Sequence, residues 1–185
     1  MKDFNLKTIL ICVVWIYLGL HLNAQVSDIN MLTPSQLSRF GRNAERVGDV
    51  YSAIMFYEKY YEVKKRNMKL NYALAGLYNQ TRNYEKAKKI YKTIKNRAPK
   101  KYPLAHYFYA QMLKATGNYD EAIDEFTKFR REYRKDKKMK PYRRLARNDI
   151  AGCDSAKSII EEPLNVNIHQ LNSTVNGPHL EFSPI

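Results

Sequence analysis

The chain has 185 residues, 44% of them hydrophobic and 27% charged, with seven glycines and seven prolines. That is a globular composition with room for one domain or a short repeat array, and it excludes a chain disordered throughout. The formal net charge of +14 is high for this size and favours acidic partners, whether nucleic acid, anionic lipid or glycan, or an acidic protein.

At the start, Lys2 and Lys7 flank an apolar run from Ile9 to Leu20, and Leu22-Asn23-Ala24 places a small residue before Gln25. A basic start, a short apolar core and a small residue at the exit read as a secretory signal over residues 1–24. The run is short for a bilayer, so no transmembrane span is expected in the mature chain; an uncleaved anchor is the competing reading. Cys12 follows Ile11 rather than a small residue and does not look like a lipid-attachment site. With the signal removed only Cys153 remains, so an intramolecular disulfide is excluded.

The next signal is helical. Thr33-Pro34-Ser35-Gln36 offers an N-cap, a proline at the first helical position and a reciprocal cap three residues on. From there "GDVYSAIMFYEKY", "RNYEKAKKIYKTI" and "GNYDEAIDEFTKF" align, with central alanines Ala53, Ala87 and Ala122 spaced 34 and 35 apart. Tyr57, Tyr91 and Phe126 follow four residues later, and Tyr60, Ile94 and Phe129 extend the same face. Leu37, Phe40 and Ala44 form the partner face of the first helix, as do Leu74 and Tyr78, then Tyr109 and Leu113. Gly48-Asp49, Arg82-Asn83 and Gly117-Asn118 make the turns inside the units, Pro99 ends the second unit and Pro103 opens the third.

A period near 34 with two helices per unit resembles the tetratricopeptide family over residues 34–136, in units 34–67, 68–101 and 103–136. The early tryptophan usual in that motif is absent, since Trp15 lies in the signal. The expected fold is therefore all-α: a helix-turn-helix solenoid of three repeats, a capping helix and a short extended tail. In such an array the first helices line the concave side. The positions not assigned to packing there are Arg42 and Arg46, then Lys69, Tyr72, Asn79 and Gln80, then Tyr107, Gln111 and Lys114. Basic, amide and tyrosine side chains suit an extended peptide or an acidic ligand, although ordinary solvated residues would look the same. No arrangement reproduces the carboxylate-gripping groove of chaperone-binding tetratricopeptide proteins.

After the third unit, Pro141 can open a helix over residues 141–160 that closes the array, with Tyr142, Leu145, Ile150, Cys153, Ile159 and Ile160 facing inward. Positive charge is dense here. Arg130, Arg131, Arg134, Lys137, Lys138, Arg143, Arg144 and Arg147 form a basic patch, with Lys135 and Lys140 among them. It reads either as a dock for an anionic envelope polymer, headgroup or protein, or as a solvated face. Nucleic acid is not expected, because bare charge lacks stacking or groove-reading elements.

No catalytic constellation appears, and the expectation is a non-enzyme with no cofactor and no metal. His106, His169 and His179 are scattered, without the spacing that places two ligands on one helix face. Cys153 has no histidine near it in sequence and reads as a buried small residue. Asn172 begins a glycosylation sequon in form only.

The tail, residues 163–185, changes periodicity. Leu164, Val166 and Ile168 alternate with Asn165, Asn167 and His169, and Asn176-Gly177-Pro178 makes a turn. One or two strands leave an apolar face with nothing to pair against. Arg147, Ala151, Cys153, Ala156, Asn165, Val166, Leu171, Asn172, Ser173, Asn176, Phe182, Ser183 and Pro184 carry a second resemblance. It is to bacterial envelope proteins in which tetratricopeptide units precede a β-propeller and an OmpA-like peptidoglycan-binding domain, some of them anchors of type IX secretion and gliding machinery. The resemblance implies a periplasmic scaffold, or one at the periplasmic face of the outer membrane. Its partner would be an envelope protein or peptide, and the tail would be the first strand of a propeller. A free-standing periplasmic adaptor or chaperone that binds exported peptides is the alternative.

Overall fold

The computed structural model describes residues 29–163. The signal at 1–24, the tail beyond Pro163, and with it His169, His179 and Asn172, lie outside the described residues. After a 3-10 turn at Ile29–Met31, the described residues form seven helices and no strand: α1 Pro34–Arg46, α2 Val50–Val63, α3 Met68–Gln80, α4 Tyr84–Arg97, α5 Leu104–Ala115, α6 Tyr119–Glu132 and α7 Lys140–Glu161. Each helix packs on the next in sequence, and α7 also reaches back to α5.

Local chemistry sets the boundaries. The Gln36 N–H donates to Thr33 Oγ1 at 3.3 Å while the Thr33 N–H donates to Gln36 Oε1 at 2.8 Å, so two orphan donors at the α1 start are satisfied reciprocally. Asp49 caps α2 through the Ser52 N–H at 3.0 Å, and Asn67 caps α3 through the Leu70 N–H at 3.3 Å. The turn inside each pair requires one left-handed residue. Gly48 and Gly117 supply it at φ +81° and +76°, but in the middle repeat it is Arg82, at φ +59°.

The core is a line rather than a ball. Ala53, Ala87 and Ala122 are fully buried, and beside them Tyr57, Tyr91 and Phe126 fill the space between the helices of each pair. Across from these rings, one repeat position holds Gly41, Ala75 and Ala110, all buried. In the first pair the ring itself occupies the place of the missing methyl: a Cβ on Gly41 would lie 2.3 Å from Tyr57 Cε1.

The last helix turns inward half of the residues its sequence indicates, Tyr142, Ile150 and Cys153. Cys153 and Ala146 are fully buried, with Tyr142 and Ile150 packed against the core, a stripe at four-, four- and three-residue steps. Leu145, placed inward by the sequence reading, sits one position off that stripe and is 44% exposed. Ile159 and Ile160 are also exposed rather than inward. Lys157 already pairs with Asp120 at the start of α6, and the 22-residue α7 runs on past the end of its 14-residue neighbour.

Two substitutions test this geometry by urea unfolding. Gly41→Ala should lower stability by about 1–2 kcal/mol, because overpacking against Tyr57 outweighs the roughly 1 kcal/mol gained by replacing a mid-helix glycine; an unchanged midpoint would contradict the close approach. Arg82→Gly should raise stability by about 1 kcal/mol by relieving the left-handed backbone, and a loss of that size would contradict it.

Candidate functional site

Two surfaces stand out, one on the first-helix side and one at the far end. The first is a cleft of about 490 Å³ that gathers Arg42 from α1 with Lys69, Tyr72 and Gln80 from α3. Glu45, Gly76 and Tyr102, to which the sequence gives no site role, also line it, with Tyr57, Leu70, Ala73 and Leu77. Tyr72 is half-buried, stacked on Tyr102 at 5.2 Å between ring centroids and edge-on to Tyr91 at 5.8 Å. Burial, then the neighbouring hydroxyls of Tyr142 and Tyr102, push its pKa up, so its hydroxyl stays protonated. Arg42 donates to Ser38 Oγ, which holds the guanidinium stem against its own helix. The cleft thus offers a flat aromatic wall, one amide, cations on two helices and one carboxylate, Glu45, which accepts from Tyr57 Oη. Arg46 is exposed and Asn79 half-buried, and neither lines it.

Tyr107, Gln111 and Lys114, which the sequence reading left free of packing, are engaged by the last helix. Asp149 of α7 accepts from Tyr107 Oη at 3.0 Å and Gln111 Nε2 at 2.6 Å, and pairs with Lys114 Nζ at 2.9 Å. Tyr107 is only 6% exposed and also meets the Tyr142 ring edge-on at 5.5 Å. Burial, then the Asp149 charge, hold its hydroxyl well above the ordinary tyrosine range, so it remains a donor. These three side chains fasten α7 to α5. No signal within α5 shows this, because Asp149 lies 35 to 42 residues away.

The second surface is a cleft of about 580 Å³ between α6 and α7. Arg130, Arg131 and Arg134 line one side and Arg143, Arg144 and Arg147 the other, joined by Thr127 and Lys140. Lys137 and Lys138, counted in the basic patch from sequence, are exposed on the connecting loop and do not line it. Two basic stretches that look continuous in sequence therefore separate into an exposed loop and two facing sides, one on the end of α6 and the turn after it, the other on α7.

Between these surfaces runs a polar seam. Glu125 of α6, 6% exposed, pairs with Lys95 Nζ of α4 at 2.6 Å and Lys128 Nζ at 3.2 Å, and its Oε2 lies 2.9 Å from His106 Nε2 of α5. Burial alone would raise its pKa, but the His106 imidazole 2.9 Å away, the Lys95 hydrogen bond and charge, and Lys128 outweigh that and hold it well below the usual carboxylate range. Such an anion stabilises the folded state fully above the ordinary glutamate value of 4.5, and the contribution drains away as pH falls from there toward the folded-state pKa.

Cys153 is fully buried, and burial pushes its thiol pKa up, the opposite of what a nucleophile needs. Among the described residues no group of three His, Cys, Asp or Glu is placed to hold a metal ion, and no helix is long and apolar enough to cross a membrane.

The Glu125 seam generates a pH prediction. Glu125→Gln should cost about 3 kcal/mol at pH 7 in chemical denaturation. The gap to the unaltered protein should narrow as pH falls from 5 to 3. A gap that stays constant across that range would show that the carboxylate charge contributes nothing.

Comparison with known proteins places the architecture. A family model described as anaphase-promoting complex, cyclosome, subunit 3 matches residues 47–129, from the α1–α2 turn through most of α6. No curated protein matches the sequence. Among solved structures, the Sgt2 TPR domain from Aspergillus fumigatus is similar at 15% identity and TM-score 0.51, with 78% of this chain and 93% of that one covered. MamA AMB-1 is similar at 18% identity and TM-score 0.55, covering 84% of each chain. A Podospora anserina chain of nearly identical TPR-like repeats gives 15% identity and TM-score 0.53, with 84% of this chain and 82% of that one covered. Repeat period, helix pairing and these likenesses identify the fold as a tetratricopeptide-repeat solenoid of three helix pairs closed by a seventh helix.

Proposed function

We propose that this chain is a non-enzymatic protein-interaction scaffold of the bacterial cell envelope. In this reading it is the partner-recruiting repeat region of an anchor protein of the OmpA-like or secretion-associated type. The observation that carries the scaffold reading is the open cleft on α1 and α3, where Arg42, Lys69, Tyr72 and Gln80 converge from two repeats. Its stacked Tyr72–Tyr102 wall offers apolar area at small entropic cost, and the amide and cations offer donors to a peptide backbone or its acidic side chains. The envelope setting is supported by the signal-like start and by the tail's likeness to linkers that lead into propeller domains.

A photo-crosslinking residue at Gln80 of the full chain, in its native cells, tests the reading, with Lys89 on the outer face of α4 as control. A discrete protein adduct from Gln80 alone, lost on Tyr72→Ala, is expected; equal adducts from both positions would remove the case for the cleft. An antibody against residues 29–163 should find the protein in the envelope fraction, at an apparent mass above the 21.8 kDa of this chain. Recovery from the cytosol would overturn the envelope setting. A periplasmic band below 21.8 kDa would favour the free-standing adaptor.

A further inference from the structure

The arginine cleft at the end of the solenoid has an order that charge alone does not explain. On one side, Thr127, Arg130, Arg131 and Arg134 follow one another at steps of three, one and three residues. On the other, Lys140, Arg143, Arg144 and Arg147 repeat those steps. The second set is one face of α7 over two turns, about 10 Å long; the first runs off the end of α6 into the turn where Arg134 lies, and the two helices run antiparallel with Lys157–Asp120 tying the opposite end. Seven cations therefore face one another, three on one side and four on the other.

Nothing acidic lines the cleft, and none of the seven makes an ion pair among the described residues. The carboxylates nearest in sequence are turned elsewhere: Glu132 lies 3.3 Å from His106 Nδ1, and Asp136 accepts the Lys138 N–H at 2.8 Å. Arg143 keeps its Nε–H buried with no acceptor. One end of the cleft is the start of α7, which has no side-chain cap and no acidic residue in its first turn, so no carboxylate offsets the positive end of its helix dipole. Buried donors without acceptors and like charges without counter-charges both mark a surface completed by something it binds.

We infer that this cleft is a binding site for an extended acidic peptide segment of a partner protein. Six of the seven cations are arginines, whose planar forks suit bidentate carboxylates. An extended chain rises about 3.3 Å per residue and points successive side chains to opposite sides, so about four acidic residues would span the cleft and direct two carboxylates to each row. Nucleic acid fits less well, because no aromatic ring lines the cleft to stack a base. The site is separate from the α1–α3 cleft, so it stands or falls independently of the groove reading.

The test is fluorescence anisotropy at physiological salt, using the full chain and a labelled octapeptide with four consecutive Asp or Glu residues. The same peptide with the amides Asn and Gln serves as control. Binding of the acidic peptide should be at least about tenfold tighter than that of the amide peptide. Neutralising exposed Arg144 and Arg147 together, as Arg144→Gln with Arg147→Gln, should weaken it by about tenfold or more. Lys137→Gln with Lys138→Gln, which removes the same charge just outside the cleft, should change it less than about twofold. Circular dichroism melts of both variants confirm folding, and Arg130→Gln with Arg131→Gln replaces the first pair if it is unfolded. Equal weakening by the loop pair would reduce the site to bulk charge and overturn the inference. So would displacement by pyrophosphate or a thymidine oligomer at concentrations no higher than the acidic peptide requires.

Discussion

Close approach between paired helices is the constraint on which this molecule rests. A solenoid has no common centre, so each pair is held only by its own contact and by its neighbours. That contact is possible because one helix presents Gly41, Ala75 or Ala110 and the other Ala53, Ala87 or Ala122, with Tyr57, Tyr91 or Phe126 filling what remains. Larger residues at the small positions would part the backbones and expose the rings. Everything on the surface, including both clefts, takes its position from the spacing this contact sets.

Burying tyrosine rings brings a polar obligation, and the chain meets it with carboxylates. Tyr57 Oη donates to Glu45 at 2.7 Å, Tyr109 Oη to Glu121 at 2.8 Å, and Tyr78 Oη to Glu58, which also pairs with Lys86 of the next helix pair. Asp149 does the same for Tyr107 and fastens the closing helix. Acidic side chains are thus drawn to tyrosine hydroxyls along the helix contacts, most deeply at Asp149, whose side chain is 15% exposed. In a chain with 32 basic and 18 acidic residues, that leaves the cations as the surplus. The surplus is not smeared evenly. Seven of the cations gather where α6 and α7 lie side by side, three facing four.

The two clefts therefore have different origins. The α1–α3 cleft comes from the repeat itself, since the first helices of neighbouring units splay apart on one side and leave Tyr72 and Tyr102 partly uncovered. The α6–α7 cleft comes from the closing helix, which has no counterpart in the repeat pattern. A scaffold with one site on its inner side and another at its end could hold two segments at once, each by different chemistry: aromatic, amide and cationic at the first, arginine-rich with no carboxylate at the second.

By itself the sequence determined the helices and their pairing, because those follow from contacts within about four residues and from a period that repeats three times. The Thr33 capping box, the alanine–ring spacing and the turns at Gly48, Arg82 and Gly117 are all local, and each was legible in the residues. What only the tertiary structure decided concerns partners far apart in the chain. The rotation of α7 buries Ala146 and exposes Leu145, although leucine is the more apolar of the two. The engagement of Tyr107, Gln111 and Lys114 by Asp149 removes them from the open face. Lys137 and Lys138 separate from the arginine rows they adjoin in sequence. Helical periodicity says which residues share a face, but the packing angle between helices says what that face meets, and that angle is set by the summed contacts of the whole stack.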